Sequence, residues 1–233
     1  MNLKVFVLML IILGSFAGFA SAADLTVNVL EKDNIIITEL DKANATFKLQ
    51  ITNNGETDYF QIYSLVSVSM YPKEKFRIAG GETIILDVTA VPFREISRDK
   101  RGIYAFEYQI KGDNTGFFKE ALALRLFDVK DAVIVTIDNI PLNSTEVDMV
   151  VKNREDVFIP GLKVVAKSNF FEFSETFDLA REESKTFSIP IILEDKITAG
   201  DYEAEIIYEL NDVKSSKMIP IKYLESSGVS VYE

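Results

Sequence analysis

Leu49-Gln-Ile51-Thr-Asn53 and Met149-Val-Val151-Lys-Asn153 are one pattern written twice, an apolar strand that stops at an asparagine. The likeness extends in both directions. Asn44-Ala-Thr46 precedes the first copy and Asn143-Ser-Thr145 the second. Gly81-Glu-Thr83 follows the first, and Glu183-Ser-Lys185 holds the matching place in the second. Farther on, Gly102-Ile-Tyr104 is matched by Gly200-Asp-Tyr202. Asn53 and Asn153 are 100 residues apart, so one unit of about that length has been used twice. A unit of that size can bury a core without disulfide staples.

The units are built from strands. Phe47-Lys-Leu49-Gln-Ile51, Tyr104-Ala-Phe106-Glu-Tyr108-Gln-Ile110 and Tyr202-Glu-Ala204-Glu-Ile206 alternate apolar and polar residues. Period two over five or more residues marks a strand with one face inward and one in water. Asn53-Asn-Gly55, Ala79-Gly-Gly81, Gly112-Asp-Asn114 and Asn211-Asp212 supply turns between such runs. About seven strands per unit follow. They fall near 25–30, 34–39, 45–53, 58–66, 83–91, 102–111 and 118–127, then near 132–138, 145–153, 161–167, 174–178, 184–193, 201–210 and 216–224. Helical content is expected to be a turn at most, at Glu39–Ala45 or Ala180–Ser184.

Short strands at this spacing predict two tandem antiparallel β-sandwiches. Their inner faces take Phe47, Leu49, Ile51, Phe60, Ile62, Leu86, Tyr104, Phe106 and Leu124 in the first. In the second they take Val147, Met149, Val151, Leu162, Val164, Phe187, Ile189, Tyr202, Ala204, Ile206 and Ile221. The Gly-x-Tyr that opens the sixth strand of each unit resembles the tyrosine corner of immunoglobulin-like domains. Phe106 and Ala204 stand where such domains place a disulfide cysteine.

Residues 1–23 stand apart. Lys4 is their only charge, Val5–Ile12 is apolar, and Ala20-Ser21-Ala22 is a small-x-small cleavage signature. The apolar stretch is too short to span a bilayer comfortably, so a secretion signal is expected. The predicted layout is a signal peptide over 1–23, sandwiches over 24–128 and 129–225, and a tail over 226–233. The four-residue join at Asp128–Asp131 lacks glycine, proline and serine, which predicts a semi-rigid tandem.

Composition narrows the chemistry. The chain has no cysteine, no histidine and no tryptophan. Ser-His and Cys-His nucleophiles are therefore excluded, as are the common zinc ligand sets. Net charge is −11, from 25 basic and 36 acidic residues among 233. Such a surface repels nucleic-acid phosphates and anionic lipid, so no nucleic-acid partner is expected. Glu203, Glu205 and Glu209 share one strand face, but it is the solvent face, so a carboxylate pair for hydrolysis is the remotest reading. Asp128, Asp131, Asp138 and Glu225 could offer oxygen ligands for calcium around the join, yet no Asp-x-Asp-x-Asp-Gly loop is present.

The series Ile51-Thr-Asn53-Asn-Gly55, Gly81-Glu-Thr83 and Gly102-Ile-Tyr104, with Val151-Lys-Asn153 and Gly200-Asp-Tyr202, resembles the CARDB-type and NPCBM-associated immunoglobulin-like modules of prokaryotic, notably archaeal, surface proteins. The resemblance implies a non-enzymatic spacer or adhesion module at the cell surface, with no catalytic residue and no cofactor. The second unit departs from the pattern, with Arg154-Glu155 in place of the turn glycine and Arg181-Glu-Glu183-Ser in place of Gly-Glu-Thr.

Candidate contact sites lie where the copies differ. Asn44 and Asn143 begin N-glycosylation sequons at equivalent turns. Arg94, Arg98, Lys100 and Arg101 form a basic loop, suited to an acidic partner or to head-to-tail association with the second unit of another copy. Phe170 falls on the opposite parity from Phe171, Phe173 and Phe177 and is an aromatic contact candidate. The alternative reading is a secreted module that binds envelope protein or glycan through the 94–101 loop or the 170–177 aromatics.

Overall fold

The structure is a computed structural model; it describes residues 22–40, 44–94, 96, 100–192 and 198–225. All but the last two residues of the expected signal peptide, Arg98 and the 226–233 tail lie outside that set.

The strands run β1 (Leu25–Asp33), β2 (Ile35–Ile37), β3 (Ala45–Asn53), β4 (Asp58–Tyr63), β5 (Val68–Tyr71), β6 (Phe76–Ile78), β7 (Thr83–Pro92), β8 (Gly102–Gly112) and β9 (Phe117–Phe127). A single helical turn, α1 (Val129–Ala132), follows. Then come β10 (Val133–Ile137), β11 (Ile140–Pro141), β12 (Glu146–Asn153), β13 (Ile159–Lys167), β14 (Glu172–Leu179), β15 (Ser184–Pro190), β16 (Gly200–Leu210) and β17 (Val213–Leu224).

Among the described residues four sheets form, two from each copy. The first copy gives β1-β3-β7-β5 and β2-β9-β8-β4-β6. The second gives β10-β12-β15 and β11-β17-β16-β13-β14. Apart from β5 the two orders are the same. In each copy the opening segment divides between sheets. Its first part joins the smaller sheet, and its second part runs parallel to the last strand of the larger one, with Ile35 beside Arg125 and Ile140 beside Tyr223. The fold is all-β, two immunoglobulin-like sandwiches.

The alternation read from the sequence is what fills the cores. Phe47, Leu49, Ile51, Phe60, Ile62, Phe106 and Leu124 are buried, as are Val147, Met149, Val151, Leu162, Val164, Ile189, Ala204, Ile206 and Ile221. Each such side chain contributes on the order of 2 kcal/mol of apolar burial. Leu86, Tyr104, Phe187 and Tyr202 are only half-buried. The sequence reading missed β5, β6 and β11, whose two to four residues are too few to establish a period. Of the two stretches offered for a helical turn, Glu39–Ala45 lies partly outside the described residues and Ala180–Ser184 makes a turn that is not helical. The helical turn at Val129–Ala132, where Val129 and Ala132 are both fully buried, was not foreseen. Two apolar residues three apart give no periodic signal.

By contacts the chain divides into two compact units. One comprises the described residues of Met1–Lys32, with Thr46–Ala90 and Phe106–Leu122; the other comprises Asp33–Ala45, Val91–Ala105 and the described part of Ala123–Glu233. The join between β9 and β10 lies inside the second unit. No helix among the described residues is long and apolar enough to cross a membrane.

Candidate functional site

The shared asparagines organise the same turn in both copies. Asn53 Nδ2 donates to the carbonyls of Glu56 (2.7 Å) and Ile78 (3.2 Å), and its Oδ1 accepts from Gly55 N (3.1 Å). Asn153 Nδ2 donates to Val157 O (2.6 Å) and Ala180 O (2.9 Å), and its Oδ1 accepts from Glu155 N (3.1 Å). Both asparagines are buried, so these bonds satisfy side-chain amides that would otherwise be left unpaired in the interior. The repeat residues are structural. The tyrosine corner is also formed in the second copy, where Tyr202 Oη donates to Thr198 O at 3.0 Å.

The candidate contact residues are dispersed. Asn44 and Asn143 are exposed at the turns before β3 and β12. Arg94 and Lys100 are exposed. Arg101 is committed within the chain: its guanidinium pairs with Asp128 and donates to Lys100 O. Phe170 is half-buried rather than free-standing, packed edge-on to Tyr202 and Tyr223 with ring centroids 4.9 and 4.8 Å away. Phe171 is buried, while Phe173 and Phe177 are half-buried and stack on Phe187.

Glu203, Glu205 and Glu209 alternate with buried Ala204, Ile206, Tyr208 and Leu210. They form an acidic rail on the outer face of the sheet. Register places Glu209 between Lys163 on β13 and Lys214 on β17, each with an ion pair at 3.5 Å, and Glu205 opposite Lys167. Asp128 is tied to Arg101 and Thr38. Among the described residues no group of three or more acids is placed to hold a metal ion.

The join has its own chemistry, all of it within the second compact unit. Both Glu39 carboxylate oxygens accept from Val129 N at 3.1 Å, and Thr38 Oγ1 donates to Glu39 (3.0 Å) or Asp128 (3.0 Å). Glu39 thus caps α1 from a distance. Asp128, at the N-cap position, makes no side-chain cap bond. Asn211 Nδ2 donates to the Glu39 carbonyl at 2.9 Å. Burial pushes the Glu39 carboxyl above its ordinary value, and the Val129 amide pulls back against it.

Beside the join, still in the second unit, lies a cleft of about 370 Å³. Four cations border it: Arg125, Lys130, Arg154 and Lys217. Arg125 is held in place, paired to the well-buried Glu155 at 3.0 Å and lying 5.2 Å over the Phe127 ring. Asp131 and Glu155 are the acids of the lining, and Phe127, Ile134 and Ile219 supply apolar surface. Tyr208 lines it as well. Burial, with the Asp131 carboxylate adding to it, pushes that hydroxyl up to about 12, so it stays a neutral donor at neutral pH.

Lys217 is the unexpected member. It stands opposite buried Ile206, between Ser215 opposite Tyr208 and Ile219 opposite Ala204. Directly paired residues share a sheet face, so Lys217 shares a row with buried Ile221 and Tyr223, although it is itself exposed. Next to it in that row, Ser215 Oγ is buried and has no hydrogen-bond partner among the described residues. The sequence held a signal for this cleft. Counting back by twos from Tyr223, Ile221 and Ile219 puts Lys217 in the same row. Arg154 and Glu155 are the two residues that replace the repeat's turn.

No protein-family model matches the sequence, and no curated protein matches it. Among solved structures, the FixG-related protein from Vibrio parahaemolyticus is 14% identical, with 44% of this chain and 96% of that one covered and a TM-score of 0.36. A protein of unknown function from Porphyromonas gingivalis W83 is 15% identical over 86% of this chain and 99% of that one, with a TM-score of 0.32. The D00-D0 domain of Intimin is 8% identical over 86% and 99%, with a TM-score of 0.34. Likenesses at these scores carry no argument about activity.

Proposed function

We propose that this chain is a non-enzymatic, extracytoplasmic structural module, a strut of two immunoglobulin-like sandwiches divided at residues 128 and 129 and used as a spacer or adhesion element of a cell envelope. The observation that carries the reading is the join. A linker that served only as a tether would be exposed and polar. Here Val129 and Ala132 are fully buried in the core cluster of the second unit, and Glu39, Thr38, Asp128 and Asn211 close the turn with hydrogen bonds. A buried, hydrogen-bonded connection resists bending because any rotation breaks bonds that water cannot replace.

The envelope location rests on the signal-like residues 1–23. Membership of the CARDB-type modules, an archaeal source and sugars on Asn44 and Asn143, both exposed, belong to the same proposal. Partner contact is proposed for the loop bearing Arg94 and Lys100 and for half-buried Phe170.

The absence of cysteine makes the stiffness directly testable. Ile85→Cys and Glu175→Cys place spin labels at exposed positions, one in each compact unit. Pulsed electron resonance should give one narrow distance distribution. A broad or two-peaked distribution ends the strut reading. Export is tested separately: expression of the full chain in a prokaryotic host should yield extracytoplasmic protein whose first residue lies just after the Ala20-Ser21-Ala22 signature. Full-length protein retained in the cytoplasm would overturn the location.

A further inference from the structure

We propose that the cleft bordered by Lys130, Arg154 and Lys217 is a binding site for a small organic carboxylate with an apolar body. This is a ligand function that the strut reading neither needs nor supplies.

Charge is the first argument. Residues 129–233 carry 11 basic and 20 acidic side chains, yet the cleft lining is net positive, with four cations against Asp131 and Glu155. Glu155 is already neutralised by Arg125. Lys130, Arg154 and Lys217 thus converge on a space where, among the described residues, only Asp131 remains to balance them. Solvated surface lysines normally sit on outward rows. Lys217 instead shares a row with Ser215, Ile219, Ile221 and Tyr223, in the part of the strand where that row is open to solvent. Lys217 is exposed there, so an incoming anion can reach it.

The rest of the lining selects the class. Phe127, Ile134 and Ile219 offer apolar contact, and a bare inorganic anion would leave that surface unfilled. The volume is at the small end of ligand sites, which fits a compact acid rather than a chain. A carboxylate accepts from lysine, arginine and a neutral tyrosine at once, and Tyr208 stands ready as that neutral donor.

The test uses the mature chain, isotope-labelled, titrated with benzoate, with benzyl alcohol as the neutral analogue and inorganic phosphate as the anion without a body. Benzoate should move the amide resonances of residues 130–135, 154–155, 208 and 217–219, saturating in the millimolar range or below and weakening with added salt. Lys217→Glu and Arg154→Glu should each lower affinity about tenfold while the remaining amide spectrum is unchanged. If one variant fails to fold, the other carries the test. Shifts centred elsewhere, no shifts with benzoate, or equal shifts with benzyl alcohol overturn the proposal. Equal affinity for phosphate overturns the organic part of it.

Discussion

Asp58 shows how much one side chain can organise. It is buried at the start of β4, and its carboxylate accepts from Tyr59 N, Asn114 N, Asn114 Nδ2, Thr115 N and Thr115 Oγ1, all at 2.8–3.0 Å. Gly112 must be glycine there, since a Cβ would come within 2.6 Å of Asp58 Oδ2. Burial pushes the Asp58 carboxyl up, but the five donors outweigh it and hold the group at about 2, below its ordinary 3.8. A depressed folded value means the stabilisation is present above pH 4 and is lost as pH falls from about 4 to 2. It should be worth roughly 2 kcal/mol. Asp58→Asn should therefore unfold more easily at neutral pH, and its acid-unfolding curve should be shallower than wild type in that window. Identical curves would show that the loop does not depend on the charge. At the matching turns of the two copies, Gly81 has φ +76° and Glu182 φ +55°. The second copy keeps a left-handed residue that glycine would fill without strain. Glu182→Gly should raise stability by about 1 kcal/mol, seen as a higher thermal midpoint.

At the scale of elements, α1 is too short to be stable alone and exists because Glu39 reaches it. Glu39→Ala leaves the buried Val129 amide unpaired and should cost about 2 kcal/mol in denaturant titration. Glu39→Gln keeps an acceptor oxygen and removes a charge that burial disfavours. It should cost less than half as much. Equal losses for the two variants would rule out the capping role. The β13-β16-β17 face shows the opposite economy. An acidic strand between lysines keeps an open sheet face soluble, and exposed pairs of this kind add little each. Replacing Glu209 with glutamine should shift stability by less than about 0.5 kcal/mol despite its two ion pairs.

At the scale of the whole molecule, the question is whether the chain behaves as a strut. If the Glu39 cap stiffens the join, Glu39→Ala should broaden the distance distribution between labels at positions 85 and 175, while Asp58→Asn, whose hydrogen bonds all lie within the first unit, should leave it unchanged. Broadening by both or by neither would sever stiffness from the cap. The basic loop counts for less as an assembly surface than the sequence alone suggested, because Arg101 is already paired with Asp128. Sedimentation at low salt reads head-to-tail association through that loop directly, and a monomer there would end it.

Sheet content, the doubled unit, most of both cores and the outward placing of Glu203, Glu205 and Glu209 are legible in the residues alone, because strand alternation is a local property of period two. The sequence also marked Asn53 and Asn153 as repeat residues, though not the paired carbonyls they satisfy. Long-range pairing sets where α1 falls, which acid is buried against the join, that Phe170 packs on Tyr202 and Tyr223, and that Arg125, Lys130, Arg154 and Lys217 border one space. Those four cations are spread over more than ninety residues of chain. No local pattern links them; strand register and the parallel and antiparallel pairings of distant segments bring them together.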